Sequence, residues 1–450
     1  MAPLSRFLVG LFLLSAGGAT AQSLQLKRAD KFTVVSSYGR SVTKLRGNVK
    51  LSSADGVFSC DSADWFRAEN RFFAYSNVRF TGRTGTSVKA RSLEYLNGES
   101  YFSGGVTVRD GDQTLQTASL RYDTKAQRGI FSQRATVTTA DGNLTCRRGD
   151  FSAGTYRFLG DVRWKGEKER MYSESVEYRT AARSAYLPLG GSMATEGDSV
   201  VFGSGTVVLS GRRSIQLGGG VRGWGATRRF ASSEWSRWPD EDRTTWSGSA
   251  YLMDWEKDST ELWADRLRIT KDSVAARGNA VVRMPSWSGR ADRWLGQRRD
   301  SIYVLEGNPV IWSGSYQILA QTFHLSQQGP GDSLWAFNGV HLGTEADSTG
   351  RCDQMAAEQL RARIRNQKMD LMDLETNAQA LFYPDARMSS RMKSARIQLT
   401  FLPNGELDEV RFFPSPMGGA VNDPKPAFLP GYLDRWGERP ASTEAMSGLK

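Results

Sequence analysis

The chain has 450 residues, of which 39% are hydrophobic, and a formal net charge of +11. It is long enough for a large core or a repeat array, and its three cysteines, an odd and sparse set, exclude a disulfide framework. Only two histidines occur, and no G-x-S-x-G, H-E-x-x-H or Walker-type loop is found. We therefore predict no enzyme activity, no catalytic residues, no cofactor and no metal site. The basic charge is spread along the chain and suits an anionic partner, although we predict no nucleic-acid partner.

The first residues have the pattern of a secretory signal peptide. Arg6 precedes a short apolar run, residues 7–14, and the A-x-A motif Ala19-Thr20-Ala21 follows it. The apolar run is too short to span a bilayer. We therefore expect residues 1–21 to be removed on export.

A sequence motif then recurs along the chain with a period of about 29 residues. Such a fixed period is typical of a repeat protein. One mark of the repeat is the apolar residue that follows a Gly-containing kink, such as the Gly-Asn of "LEGNPV" (305–310). The marker residues are Val49, Val78, Val106, Val137, Val162, Leu189, Val221, Tyr251, Val281, Val310, Val340, Ala380 and Val410. The Gly-rich stretch "LGGGVRGWG" (217–225) falls on one of these marks, so we interpret it as a kink and not as a ligand-binding loop.

Between the marks lies a second phrase with strand spacing. "VKARSLEY" (88–95), "LQTASLRY" (115–122) and "MYSESVEY" (171–178) each carry an apolar residue and a small one two positions apart, and then a larger apolar residue and an aromatic two positions apart. The step between the pairs is odd, so both pairs can face inward only if the strand bends or bulges there. "NGES" (97–100) and "DGDQ" (110–113) are hairpin turns. Each repeat is therefore predicted to be one hairpin of two bent strands.

These hairpins predict an all-β fold, an elongated antiparallel β-jelly roll, either one continuous jelly roll or two consecutive ones. Residues 353–374 have the composition of a helix, but they fit the repeat frame and are predicted to form two more strands. Prolines are frequent from residue 414 onward and predict the absence of regular sheet there. The predicted organisation is a signal peptide (1–21), N-terminal repeats (22–190), further repeats (191–413) and a Pro-rich tail (414–450).

The repeat resembles a known family. "LRGNVKL…FSCDSADWF", "YSNVRF…VKARSLEY" and "SGGVTV…LQTASLRYD" resemble the OstA-like, or LptA-type, proteins of lipopolysaccharide export, in which a "GNV" turn-strand alternates with an "lxADxLxY" strand. The resemblance is best over residues 45–180 and recurs more loosely from 250 to 400. The ending "FLPGYLDRWGERP" (428–440) is similar to the tail of the longer Bacteroidetes-type OstA-like proteins. The chain departs from the family at its acidic position, where three copies have Arg91, Ala118 and Arg147.

The resemblance implies a periplasmic protein that carries lipopolysaccharide between the inner and outer membranes in an apolar groove, in association with outer-membrane assembly. The inward columns of the repeat supply candidate lipid-binding residues independently. These are Phe58, Trp65, Val88, Tyr95, Leu115, Tyr122, Leu144, Phe151, Met171, Tyr178, Leu262, Leu267, Ile318 and Phe323. Burial of an acyl chain of ~12 methylenes would contribute on the order of 10 kcal/mol. A continuous groove of equivalent sites would let the lipid move without crossing water.

The N-terminal edge of the array, residues 31–49, has no proline and no evident cap. We predict that its apolar residues Phe32, Val34 and Val42 mark an edge that pairs with another jelly roll of the export path or with a second copy of the chain by β-augmentation. Two other functions stay open: a structural or adhesive surface repeat protein, and a parallel β-helix enzyme that processes polysaccharide. The recurrent N-G and D-G turns argue against parallel coils.

Overall fold

A computed structural model describes residues 24–440, except 38–39, 55, 84, 124, 196, 209–212, 256–258, 298–300, 327–331, 366–367, 386, 415, 423–424 and 426. The predicted signal peptide lies outside the described residues. Within them the chain is built from antiparallel strands and three 3-10 turns, Arg67–Glu69, Pro239–Glu241 and Trp436–Glu438, without an α-helix. The predicted all-β, antiparallel class is therefore confirmed. No helix in the described part of the chain has the length and apolar character needed to cross a bilayer.

The chain divides into two compact units, residues up to Trp164 and residues from Lys165. The predicted domain boundary after residue 190 stays a prediction. The strands of unit 1, over its described residues, are β1 (Gln25–Arg28), β2 (Lys31–Ser37), β3 (Arg40–Ser53), β4 (Gly56–Phe66), β5 (Arg71–Gly82), β6 (Ser87–Leu96), β7 (Glu99–Asp110), β8 (Gln113–Asp123), β9 (Arg128–Phe131), β10 (Ala135–Thr139), β11 (Gly142–Cys146), β12 (Arg148–Ser152) and β13 (Thr155–Lys165).

Unit 2 continues the same pattern of hairpins. Its strands, over the described residues, are β14 (Arg170–Arg179), β15 (Ser184–Leu187), β16 (Gly191–Ala194), β17 (Asp198–Phe202), β18 (Ser204–Val208), β19 (Ser214–Gly218), β20 (Val221–Gly225), β21 (Arg228–Ser232), β22 (Glu234–Trp238), β23 (Arg243–Asp254), β24 (Thr260–Ile269), β25 (Ser273–Arg283), β26 (Ser288–Gln297), β27 (Ile302–Glu306), β28 (Val310–Ser313), β29 (Tyr316–Leu319), β30 (Thr322–Ser326), β31 (Asp332–Thr344), β32 (Gln354–Arg365), β33 (Lys368–Asp385), β34 (Met388–Phe401), β35 (Leu407–Phe413) and β36 (Met417–Val421).

The strands bend at a bulge, as the odd step in the sequence phrase predicts. The register between β3 and β4 is interrupted between two residue pairs, Arg46 with Ser62 and Val49 with Cys60. Two residues, Gly47 and Asn48, therefore oppose one. Gly47 has φ +73° and Asn48 has φ +46°, the left-handed conformation that Gly and Asn tolerate best. The Gly-Asn kink is thus a bulge that bends the strand while both apolar pairs keep facing inward.

Other strands are interrupted at the bend. β8 pairs with β9 through residues 121–123 and with β10 through residues 114–117. β9 and β10 are therefore two halves of one bent strand. In unit 2, β26 pairs in the same way with β27 and with β28. The predicted repeat, a hairpin of two bent strands, is confirmed.

The two halves of the bent strands form two layers that pack on each other. In unit 1 Phe58 precedes the bulge of β4 and Tyr95 follows the bulge of β6, yet their ring centroids are 5.5 Å apart. Phe80 of β5 and Tyr122 of β8, also on opposite sides of the bend, are 5.7 Å apart. The core of the unit lies between these layers.

Some predicted marker positions are wrong by one or two residues. After the kinks at 248–249 and 278–279, the first buried residues are Ala250 and Ala280, not Tyr251 and Val281. After the kink at 376–377 it is Ala378, not Ala380. An alanine directly after a left-handed pair is only weakly hydrophobic, so the sequence pattern indicates a larger apolar residue, or a later position, as the marker. The markers Val137, Leu189 and Val410 do not follow a left-handed pair, and Leu189 is 69% exposed.

The two ambiguous segments have different outcomes. Residues 353–374 form β32 and the first part of β33, so the prediction of two strands is confirmed. The prediction that sheet is absent after residue 414 is wrong for β36, which pairs with Ser389 to Lys393 of β34. β36 itself contains no proline and lies at the edge of the sheet, where a proline before the strand removes no ladder hydrogen bond.

Residues 427–440, here called the C-terminal strap, pack on the outer face of the sheet formed by β28, β29, β31 and β32. Gln354 donates to the carbonyl of Ala427 (3.0 Å) and accepts from the Leu429 amide (2.9 Å). Trp436 of the strap packs on a buried cluster, Val310, Trp312 and Leu319. The motif "FLPGYLDRWGERP" therefore forms a specific contact within unit 2.

Candidate functional site

The interior of unit 1 holds the first eight candidate lipid-binding residues. All lie inward between the two layers, and none is more than 7% exposed. They are Phe58, Trp65, Val88, Tyr95, Leu115, Tyr122, Leu144 and Phe151. The structure thus brings them together in one interior, as the strand spacing predicted. Contact between these residues and a lipid stays a prediction.

Aromatic rings form a continuous ladder along this interior. Phe58 meets Phe80 at 4.6 Å, and the contacts continue through Tyr122 and Phe151 to Tyr156, with centroid distances of 5.7, 6.2 and 5.3 Å. The steps are within the 4.5–7 Å range of stabilising aromatic pairs. The ladder joins β4 to β13, so a connected apolar path runs through the unit.

Two inward glycines make room for these rings. A Cβ atom on Gly129 would lie 2.2 Å from two ring atoms of Phe151, and one on Gly149 would lie 2.6 Å from Cζ of Phe131. Both glycines face their aromatic partner across a strand pair, since Gly129 is opposite Phe151 and Gly149 is opposite Phe131. The rings therefore fill the interior as closely as the backbone allows.

The size of the side chains along a strand fits a wedge. In β4 the small residues Cys60 and Ala63 flank the bulge, and the large residues Phe58 and Trp65 lie toward the turns at either end. The two layers meet at the bulge, so the space between them is smallest there and increases toward the turns. The large rings therefore fill this wide side.

The thiols near the bulge have a packing role. Cys60 and Cys146 are buried and unbonded. Burial raises the pKa of the Cys60 thiol to about 11 and that of Cys146 to about 12. Both are therefore neutral at physiological pH and unreactive as nucleophiles. Their small size explains their place beside the bulge.

The six candidate residues of unit 2 are also buried and inward. They are Met171, Tyr178, Leu262, Leu267, Ile318 and Phe323, with exposures between 0% and 9%. Large rings recur beside them: Phe230 stacks on Trp235 at 6.3 Å and meets Trp246 edge-on at 5.6 Å. Lipid binding by the six candidate residues likewise stays a prediction.

The two sequence motifs of the repeat contact each other at the bulge, a link that sequence reasoning missed. The Asn48 side chain of one kink donates to the Asp30 carboxylate at 2.7 Å, and Asn77 donates to Asp61 at 2.7 Å. The same contact recurs in unit 2, where a kink asparagine donates to Asp265 at 3.2 Å. The asparagine of "GN" and the aspartate of "AD" are therefore partners across neighbouring strands, and the bond holds the left-handed kink in place.

The family's acidic position changes together with the kink that faces it. Arg91 lies against Gly104, the first residue of a Gly-Gly kink, and Arg147 lies against a Gly-Asp kink at 160–161. A hydrogen bond from Arg163, with a smaller effect of the Arg147 charge, holds the pKa of Asp161 below its usual range. At this repeat the acid is on the kink and the base on the neighbouring strand. The departure at Arg147 is thus an exchange within the same contact, whereas Arg91 faces a kink without an acid.

The N-terminal edge of unit 1 is formed by β1 and β2, both paired with β3. Phe32 and Val34 are 49% and 52% exposed, although they lie opposite the buried residues Leu45 and Thr43. Their side chains therefore lie on the inward face and are half exposed, with the Arg67 guanidinium 5.6 Å from the centroid of the Phe32 ring. β2 has no strand on its other side in the described residues. Val42 is not in the edge strand β2, because it belongs to β3.

The described residues hold no group of three or more His, Cys, Asp and Glu side chains that could bind a metal ion. His324 meets the Phe337 ring edge-on at 5.3 Å. Burial lowers the pKa of His341, which lies next to Gly431 of the C-terminal strap. Both histidines thus have packing partners in unit 2. The parallel β-helix is excluded for the described strands, since their pairings are antiparallel.

Residues 21–174 match the family model described as OstA-like protein. This region contains the aromatic ladder and its bulges and is similar to OstA-like proteins, so the resemblance seen in the sequence motifs is confirmed there. The longer Bacteroidetes-type form stays a prediction. No curated protein matches the chain.

Proposed function

We propose that this OstA-like chain binds lipopolysaccharide and carries it through the periplasm between the inner and outer membranes, with the acyl chains shielded in the interior of the bent sheets. OstA-like proteins are a transport and binding family, which supports a binding role over an enzymatic one. The observation that carries the proposal is the continuous ladder of buried rings from Phe58 to Tyr156. A path of equivalent apolar contacts is what a lipid needs to move along a protein.

The energetics favour exchange within the wedge over release to water. An acyl chain of ~12 methylenes gains on the order of 10 kcal/mol on burial. Entry of an acyl chain requires the aromatic rings on the wide side to move apart, because they pack on one another in the closed wedge. Ring-to-ring contacts are then replaced by ring-to-acyl contacts of similar strength, so the net cost of each step is small compared with exposure of the chain to water.

The N-terminal edge supports the proposed partners, which are other jelly-roll proteins of the export path or a second copy of this chain. An added strand on β2 would satisfy its free backbone groups and cover Phe32 and Val34 at the same time. Both the ladder hydrogen bonds and the apolar interior would then continue into the partner. Export by the signal peptide at residues 1–21 would place the protein in the periplasm, in association with the outer membrane.

Site-specific photo-crosslinking in cells tests the lipid path. A photoreactive phenylalanine analogue at Leu115 or Tyr122, which are 2% and 5% exposed, should capture lipopolysaccharide. The same analogue at the turn residue Asp112 should not. Tyr101 is a matched aromatic control, since it is 40% exposed on the outer face of β7 in the same unit. Mass spectrometry of protein purified from its native host should show co-purifying lipopolysaccharide.

Equal labelling at the inward and outward positions would refute an interior lipid path. Each variant is first compared with the parent protein by thermal unfolding, so that a lack of labelling is not due to a lost fold. A structural or adhesive repeat protein, the alternative function, would give no lipopolysaccharide adduct at any of the four positions.

A further inference from the structure

A pocket of about 700 Å³ lies within unit 2, at the turns of the bent strands. One side is formed by the turn after β25, residues 284–287, and by Gly314 in the turn after β28. The other side is formed by the start of β33 and by residues 404–405, in the turn after β34. The end of the C-terminal strap, Arg439 and Pro440, borders it. The pocket therefore lies at one end of the bent strands, where these turns come together.

The floor of the pocket is apolar and leads toward the core. Trp287 and Met369 are 6% and 7% exposed. Tyr316 meets the Phe401 ring edge-on at 5.7 Å and also lines a small neighbouring cavity with the core residue Leu342. A ligand seated here would thus contact both the pocket and the edge of the interior.

The rim of the pocket is basic. Arg283, Lys368 and Arg439 line it with Asn404 and several serines, and no carboxylate belongs to the lining residues. Arg283 is the most buried of the three, and its Nη1 atom forms an ion pair with the Glu261 carboxylate at 3.5 Å. The two exposed cations, Lys368 and Arg439, favour an anionic oxygen at this site.

Nearby acids do not neutralise all of this charge. Glu261 lies 3.5 Å from Arg283, and burial raises the pKa of this glutamate. Arg439 is held by a hydrogen bond to the Gly314 carbonyl (3.3 Å), which carries no net charge. Neither Lys368 nor Arg439 forms an ion pair within the described residues. At least two positive charges therefore remain available to a ligand.

We infer that this pocket binds the phosphate-bearing headgroup of an acylated glycolipid, with Lys368 and Arg439 against the phosphate and the apolar part on Trp287 and Met369. Phosphate is the group that Lys and Arg together recognise through charge-assisted hydrogen bonds. The inference rests on the proposed function, since it names where the headgroup of the carried lipid sits while the acyl chains enter the interior of unit 2.

Binding of three probes to the full mature chain tests the inference: lipopolysaccharide, phosphatase-treated lipopolysaccharide and inorganic phosphate. Lys368→Gln should weaken binding of intact lipopolysaccharide about three- to tenfold at low salt, the scale of one partly exposed charge-assisted contact. It should leave the affinity for the dephosphorylated form unchanged. Arg439→Gln should act in the same direction. Lys393→Gln, an exposed lysine of β34 in the same unit, makes the same charge change away from the pocket and should bind as the parent protein does.

The outcomes separate the pocket from the proposed function. An equal loss in Lys393→Gln would show that only general electrostatic attraction is measured, and would overturn the pocket. Inorganic phosphate that binds as tightly as lipopolysaccharide would overturn a lipid headgroup as the ligand. If the parent protein binds lipopolysaccharide and Lys368→Gln binds it equally well, the pocket assignment alone fails. If the parent protein does not bind lipopolysaccharide, the proposed function fails.

Discussion

Removal of one buried glutamine is expected to release the C-terminal strap from unit 2. Gln317 is 0% exposed on the outer face of β29. Its amide nitrogen donates to the Tyr432 hydroxyl (2.9 Å) and the Leu433 carbonyl (2.8 Å), and its oxygen accepts from the Arg435 amide (3.1 Å). One side chain thus satisfies two backbone groups of the strap.

The substitution Gln317→Ala leaves those two part-buried backbone groups without their partner. An orphaned group costs about 1–3 kcal/mol when fully buried, so the strap should lose at most about 2–6 kcal/mol of local stability. A loss of 3 kcal/mol, within this range, raises the opening equilibrium on the order of 100-fold. The contact of Trp436 with the cluster around Trp312 remains, so the strands beneath should stay folded.

Hydrogen exchange read by mass spectrometry measures this opening directly. Peptides from residues 427–440 should exchange much faster in Gln317→Ala, while peptides from β32 and β33 should keep the parent rate. Gln359→Ala is the matched control, because Gln359 lies exposed on β32 and should leave the strap protected. Parent-like protection of the strap in Gln317→Ala would refute the argument that this glutamine anchors it.

Two further predictions concern the core and pH. Gly129→Ala should lower the free energy of unfolding by about 1–3 kcal/mol through overpacking against Phe151, whereas Gly82→Ala, whose Cβ would meet no atom closer than 3.5 Å, should change it little; equal denaturant midpoints would contradict the close fit. His341 has a lowered pKa in the fold, so the unfolded chain takes up the proton first, and its contribution to stability is lost as pH falls below about 6.5. In urea unfolding, the free energy of unfolding of His341→Gln should therefore fall less between pH 7.5 and 5.5 than that of the parent protein. The raised pKa of Asp353 acts in the opposite direction, but equally in both proteins. Identical losses in the two proteins would show that His341 does not titrate with folding.

The repeat hairpins could be predicted from the sequence because their signals are local. The D-G pair at 110–111 and the alternation of Leu115 with polar residues specify one turn and one strand within about ten residues. The bend could be predicted as well, since the odd step between apolar pairs allows no flat strand with both pairs inward. The mechanism of the bend was not evident, because it depends on an asparagine and an aspartate that are 16 residues apart in the pair Asn77 and Asp61.

The strap contact could not be predicted in this way. Gln317 and Tyr432 are separated by 115 residues, and no pattern in either segment specifies the other. A buried glutamine on a sheet face resembles an exposed one in sequence, since both alternate with apolar residues such as Ile318. The prolines of the tail indicated an irregular segment, but not the surface on which it lies. The basic pocket was missed for the same reason, because Arg283, Lys368 and Arg439 come from three distant parts of the chain.

The geometry of the interior bears on how a lipid could pass through a filled core. The ring contacts of unit 1 link strands that are close in sequence, such as Phe58 of β4 with Tyr95 of β6, and Phe80 of β5 with Tyr122 of β8. Opening of the wedge at one repeat therefore breaks contacts of that repeat and its near neighbours only, as in other repeat proteins. The cost of opening is then a local term that does not grow with the length of the array. Under the proposed function an acyl chain that enters one repeat offsets this cost there, and each further step opens the next repeat while the previous one closes.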